Sequence, residues 1–179
     1  MTPPDPTRKG YGNSITLPQD VSDFDTACQV LLALSETIGA RLREAKVRCN
    51  SVTVELKDWK FACQSHQCVL KSPTDSTSVL YDTACQLLKE FWDRTPVRLI
   101  GLRTTQIQEE TFEQISLFED EYAKKMRAME KAVDAIRGRY GIDSVQRASF
   151  LKENTLTPHA VSRQKHLGKA SEQTPGKEF

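Results

Sequence analysis

No apolar run of about 18 residues occurs in this sequence, which excludes an ordinary membrane-spanning helix. Met1-Thr2-Pro3-Pro4-Asp5-Pro6 lacks the charged-then-apolar build of a signal peptide, so a cytoplasmic setting without membrane association is expected. Paired cysteines are missing as well. Cys28, Cys49, Cys63, Cys68 and Cys85 are odd in number and irregularly spaced, which suits free, buried thiols in a reducing compartment. Cys63, His66 and Cys68 lie close together but lack CxxC pairing, and no second cluster follows, so no metal ligand is assigned. An excess of one charge is also absent. Residues 1–110 carry 13 Lys and Arg against 14 Asp and Glu, residues 111–150 carry 7 of each, and the remainder carries 5 against 3. No segment is basic enough to announce nucleic acid by charge alone, so any such contact rests on local placement and backbone donors. Catalytic signatures are missing too: there is no P-loop, Gly-rich dinucleotide fingerprint, HExxH or GxSxG elbow. A small phosphate-handling enzyme using Asn13 and Arg98 is conceivable, but the first strand lacks an anion-binding loop. No catalytic residue is assigned.

What is present is a chain of 179 residues, enough for one domain with extensions. Residues 1–8 are proline-rich and read as an extended linker. Lys9 to Leu17 reads as a strand ended by Pro18. Asp20-Val21-Ser22-Asp23 caps a helix over residues 23–45, whose stripe is Phe24, Ala27, Cys28, Leu31, Leu34, Ile38 and Leu42. Ser51 to Lys57 alternates strictly, with Val52, Val54 and Leu56 inward and Ser51, Thr53, Glu55 and Lys57 on a wet face. Asp58-Trp59-Lys60 is a tight connection to an antiparallel strand over residues 61–71. Ser72-Pro73-Thr74-Asp75 ends that strand and caps a helix over 76–92, with Val79, Leu80, Ala84, Leu87, Leu88 and Phe91 buried. Val97 to Arg103 is a fourth strand.

The order β-α-β-β-α-β folds most simply as an α+β domain, a four-stranded antiparallel sheet with both helices on one face in ferredoxin-like fashion. The other sheet face is left open, either as a contact surface or merely solvated. Gln114-Ile115-Ser116-Leu117-Phe118 places two large apolar residues in an acidic setting. It reads as a docking peptide or as a loop folded back on its own core. Tyr122, Met126, Met129, Val133, Ile136 and Tyr140 then form a regular apolar seam on a helix over 119–140, which either packs against the domain, the expected arrangement, or pairs with another chain. The polar residues 151–179 read as disordered.

Lys9-Gly10-Tyr11-Gly12-Asn13-Ser14, Arg41-Leu42-Arg43, Val52-Thr53-Val54, Leu70-Lys71-Ser72-Pro73-Thr74-Asp75 and Pro96 to Arg103 resemble the C-terminal little finger of Y-family translesion DNA polymerases of the bacterial polymerase IV and UmuC-like group. The resemblance spans about residues 8–150 and implies a little finger over 9–106, a sliding-clamp-binding peptide over 107–118 and a helical extension over 119–150. It implies a monomer that grips double-stranded primer-template DNA during lesion bypass in the SOS response. The DNA contacts it implies are Lys9, Asn13, Ser14, Thr16 and His66, with Lys57, Lys71, Arg98 and Arg103 taking over where His66 and Cys68 stand at often-basic positions. Gln114, Ile115, Ser116, Leu117 and Phe118 would bind the bacterial sliding clamp. The palm domain of such an enzyme, which uses Mg2+, would lie N-terminal to this region, and no cofactor is expected in the chain itself. The chain is expected to be either a piece excised from a polymerase or a free-standing remnant that regulates the clamp.

Overall fold

The computed structural model describes residues 10–109 and 121–151. The elements are β1 (Gly10–Val21), α1 (Phe24–Glu44), β2 (Val47–Asp58), β3 (Cys63–Thr74), α2 (Thr77–Phe91), β4 (Val97–Glu109), α3 (Glu121–Tyr140) and a 3-10 turn, Ala148–Leu151. The four strands form one antiparallel sheet in the order β1-β4-β2-β3, so β1 and β3 are its edges. This is the β-α-β-β-α-β arrangement that the sequence predicts.

Asp23 begins α1, its carboxylate accepting the Thr26 N–H at 2.8 Å. That bond holds the Asp23 carboxyl below its ordinary range. Leu31, Leu34, Ile38 and Leu42 of the α1 stripe are fully buried against Val52, Val54, Ile100 and Leu102 of the sheet, and Leu80 and Leu88 of α2 join them. Each such side chain contributes about 1.5–3 kcal/mol by leaving water, so this layer dominates the stability of the domain. Gly39 lets α1 meet the start of α2, since a Cβ there would lie 2.7 Å from Thr77 Oγ1. Val79, expected in the buried stripe of α2, faces solvent instead.

All four strands are longer than the alternation indicates. β1 passes through Pro18, and β3 passes through Pro73 to Thr74. Both prolines lie on edge strands where the register shifts, between Thr16 and Val21 in β1 and opposite Cys49 to Ser51 in β3. A bulge on an edge tolerates a residue without an N–H. β2 begins at Val47, and its irregularity between Cys49 and Ser51 reverses the phase of burial. Ser51 shares a face with Thr53, Glu55 and Lys57 yet is buried rather than wet, its hydroxyl accepting from Gln67 Nε2 at 2.8 Å.

The third helix packs on the domain, but not through its seam. Tyr122, Met129, Ile136 and Tyr140 remain exposed. Arg127, Glu130, Asp134 and Arg137 face inward instead, pairing with Asp75, Arg43, Arg43 and Glu36. Apolar periodicity identifies residues that share a face. It does not say which face docks, and here buried ionic partners on α1 and before α2 decide it. Of the expected disordered tail, only Leu151 lies among the described residues, closing the 3-10 turn.

Candidate nucleic-acid interface

Strand pairing sets what the open face of the sheet displays. Gly10, Gly12, Ser14 and Thr16 of β1 stand opposite Thr105, Arg103, Gly101 and Leu99 of β4. Those residues stand in turn opposite Ser51, Thr53, Glu55 and Lys57 of β2. On β3 the same face carries Val69, Gln67, Ser65 and Cys63. The alternate residues, Ile15, Val52, Val54, Ile100 and Leu102, are buried beneath the helices. One set of strands therefore supplies both a core and an uncovered polar surface.

Three residues without side chains, Gly10, Gly12 and Gly101, cluster on the β1–β4 half of that surface. Gly10 and Gly12 line a groove of about 660 Å³ together with Asn13, Ser14, Glu55, Leu102, Arg103 and Thr105. A Cβ on Gly101 would come within 3.3 Å of Ser14 and 3.2 Å of Glu55, so glycine relieves the crowding between the side chains of β1 and β2 on either side of it. At Gly12, which is exposed, the backbone is open to a ligand atom that a side chain would exclude.

Arg103 and Lys57 are the cations of this face, and neither meets a carboxylate among the described residues. Glu55 is the exposed acid between them. Ser14 and Thr16 are exposed on the same face and add two hydroxyl groups to it. The arrangement can hold an extended polyanion through one or two cations, hydroxyls and backbone, without a deep pocket.

Not all of the expected contact residues converge here. Asn13 does line the groove, although it lies in register with core-facing Leu102 and its side-chain carbonyl accepts the Ser14 N–H at 3.0 Å. His66 lies opposite Val54, on the helix side of β3, where its ring stacks on Phe91 with centroids 5.6 Å apart. That orientation removes it from the face that holds Arg103. Cys68 is likewise on the helix side, opposite Val52. Lys71 is exposed on the irregular end of the β3 edge. Arg98 is exposed but committed to Asp20, 3.0 Å away. Lys9 and the peptide residues Gln114, Ile115, Ser116, Leu117 and Phe118 lie outside the described residues. β4 runs to Glu109, three residues into the stretch assigned to the peptide. Among the described residues no group of three His, Cys, Asp or Glu could hold a metal ion, and no helix is long and apolar enough to cross a membrane.

Two features escaped the sequence reading. Arg127, Glu130, Asp134 and Arg137 repeat at steps of three, four and three, a charged stripe with the same period as the apolar seam. The connection between β2 and β3 also projects two aromatic rings, Trp59 and Phe61, into solvent. The sequence signal for the latter was an aromatic pair within a tight turn.

Comparison with known proteins bears on this face. The model of the impB/mucB/samB family C-terminal domain matches residues 8–117. The chain is similar to DNA polymerase IV 2 of Bacillus subtilis (strain 168), at 35% identity over 166 residues, covering 90% of this chain and 39% of the relative. It is also similar to DNA polymerase IV of Clostridium acetobutylicum, at 31% identity over 145 residues, covering 81% of this chain and 37% of the relative. The chain thus spans less than two-fifths of the length of these relatives. A solved complex of the β-clamp processivity factor and the little finger domain of PolIV aligns at a TM-score of 0.48 and 22% identity, over 61% of this chain and 98% of that one.

Proposed function

The chain belongs to the impB/mucB/samB family through its C-terminal domain, and from that membership we propose that it is the DNA-gripping little finger of a Y-family translesion polymerase. The observation that carries this reading is the uncovered sheet face, with Arg103 and Lys57 unpaired beside a glycine-floored groove. Phosphates lie along that face, held by Arg103, Lys57, the hydroxyls of Ser14 and Thr16, and backbone groups at Gly10 and Gly12. Lys71 serves from the β3 edge and Lys9 from outside the described residues. Asn13 lines the groove, whereas His66 and Arg98 are engaged elsewhere and contribute less. Such contacts do not read bases, so binding to double-stranded primer-template DNA is sequence-tolerant and salt-dependent. Catalysis, with its Mg2+, belongs to the palm of the longer polymerase, which acts in the cytoplasm with this domain as a monomeric unit.

Gln114, Ile115, Ser116, Leu117 and Phe118 tether the enzyme to the sliding clamp. Leu117 and Phe118 enter an apolar pocket, and Gln114 fixes the register by hydrogen bonds. Two anchors on a short peptide give micromolar affinity, which suffices once clamp and little finger hold the same DNA and the contact becomes intramolecular. A second reading, a clamp-binding regulator without polymerase activity, is favoured by one observation, the presence of Glu55 among so few cations on the open face.

Fluorescence anisotropy with a labelled duplex tests the first reading. Arg103→Ala lowers affinity at low salt, and the loss shrinks as salt rises. Equal affinity of the two proteins at all salt concentrations would overturn the assignment of this face.

A further inference from the structure

The β2–β3 turn has no role in the grip on duplex phosphates, yet it holds the most exposed large apolar side chain among the described residues. Phe61 is 72% exposed and Trp59 is 55% exposed. The turn is closed by three bonds. Asp58 N–H donates to the Ala62 carbonyl at 3.1 Å, Phe61 N–H donates to the Asp58 carbonyl at 3.1 Å, and Ala62 N–H donates to Asp58 Oδ1 at 2.9 Å. Phe61 sits at a φ of +65°, the left-handed region that Gly or Asn enters at far lower cost. A bulky aromatic side chain is therefore held outward in a strained, rigid turn, where a glycine would serve the fold better. Strain of this kind, kept at an exposed position, is typical of a ligand contact.

The chemistry of the tip narrows that ligand. Lys60 places its ammonium 5.0 Å from the centre of the Trp59 ring, and Lys57 stands at the base of the turn. Lys57 is also on the open sheet face, so the tip continues the surface on which DNA is placed. Flat rings interleaved with lysines match a nucleobase and its phosphate, the ring stacking on the base and the ammonium pairing with the backbone. Bases within a duplex have both faces covered by their neighbours, so only an unpaired strand offers the partner surface. We infer that the Trp59–Lys60–Phe61 tip is a stacking platform for the bases of single-stranded nucleic acid next to the duplex grip. This inference rests on the DNA-gripping reading above.

Trp59 supplies its own probe, because the other tryptophan, Trp92, is only 8% exposed and lies in the core. The full chain is titrated with oligo(dT)12 while tryptophan emission is followed, and Trp59→Phe supplies the Trp92 background. Saturable quenching that disappears in Trp59→Phe is expected. Trp59→Ala and Phe61→Ala each weaken oligo(dT)12 binding by about fivefold or more, the lower end for one base–aromatic stack, and leave duplex affinity unchanged. Phe61→Gly separates function from fold, because it raises the melting temperature while weakening oligo(dT)12 binding. Unchanged emission, or unchanged oligo(dT)12 affinity in both alanine variants, would overturn the inference. So would a loss of clamp binding in those variants with single-strand binding intact, which assigns the tip to a protein partner. A failure of the duplex grip registers separately, as duplex affinity that does not respond to Arg103→Ala.

Discussion

Glu130 of α3 accepts the Thr77 backbone N–H at 2.9 Å, so the first turn of α2 is capped by a carboxylate from another helix. Ser76, at the cap position of α2, makes no side-chain cap bond of its own. The other Glu130 oxygen meets Arg43 Nη1 at 3.2 Å, and both side chains are almost wholly buried. Arg43 also donates to the Asp75 carbonyl at 2.8 Å and pairs with Asp134. Arg137 and Arg147 converge on Glu36 in the same region. The helix that follows the proposed clamp peptide is thus held to the domain by charge and by an anion at a helix N-terminus, where the peptide dipoles favour it. Its apolar seam is left outward.

Replacing Glu130 by alanine removes the cap and one of the two carboxylates that balance buried Arg43. A loss of about 3 kcal/mol is expected, in the range for breaking a buried ion pair from one side. Glu130→Gln keeps an acceptor for Thr77 and costs less. Urea unfolding of the three proteins checks this. Equal losses for Ala and Gln would show that the cap contributes nothing beyond charge.

The cysteines differ in environment, and alkylation reads that difference. Cys63 is exposed, whereas Cys28 and Cys49 are buried. Burial pushes the Cys49 thiol up to about 11 from 9.0, so it carries almost no thiolate at pH 8. Mass spectrometry after iodoacetamide treatment at pH 8 should show Cys63 modified in the native protein and Cys49 only with denaturant. The linkage to stability has a definite sign. A folded-state value above the unfolded one gives stability that is full below about pH 9 and is lost as pH rises toward about 11. Cys49→Val should remove that part of the alkaline decline, and an unchanged slope between those values would contradict it.

Alternation in the sequence was enough to place β2 and the core, because Val52, Val54 and Leu56 have a single buried side to choose. It failed for β3, where Cys63 to Leu70 has no clear period, and the face of His66 followed only from its pairing with Val54. The strand ends at Pro18 and Pro73 were misplaced for a related reason. Proline argues against a central strand, but whether a strand is an edge is a property of the whole sheet. The orientation of α3 was legible only in part, since the apolar seam and the charged stripe have the same period. Choosing between them needed the positions of Glu36, Arg43 and Asp75, which tertiary structure alone brings together.

Leu117→Ala combined with Phe118→Ala should abolish binding to the sliding clamp while thermal stability and duplex affinity stay at their parent values. Surface plasmon resonance on immobilised clamp measures the first, and anisotropy the second. Full clamp binding by the double variant would sink the docking assignment. A parallel loss of stability would instead show that these side chains belong to the fold.

Glu55 gives the most direct test of the groove. Its carboxylate lies beside Gly101, opposing the phosphates that Arg103 and Lys57 attract. Two unit charges about 7 Å apart in water repel by roughly 0.6 kcal/mol, and more where the sheet excludes solvent on one side. Glu55→Gln keeps the size and shape of the side chain and removes the charge, exchanging one acceptor oxygen for an NH2 donor. Duplex affinity should therefore rise about threefold at low salt, with the gain fading as ions screen the face within a Debye length of about 8–10 Å. The isosteric change separates charge from shape. If Gln leaves affinity unaltered and Ala raises it, the side chain obstructs DNA by bulk. If both leave it unaltered, the phosphate path runs clear of the β1–β4 groove, and the grip must be sought along the β3 edge at Lys71.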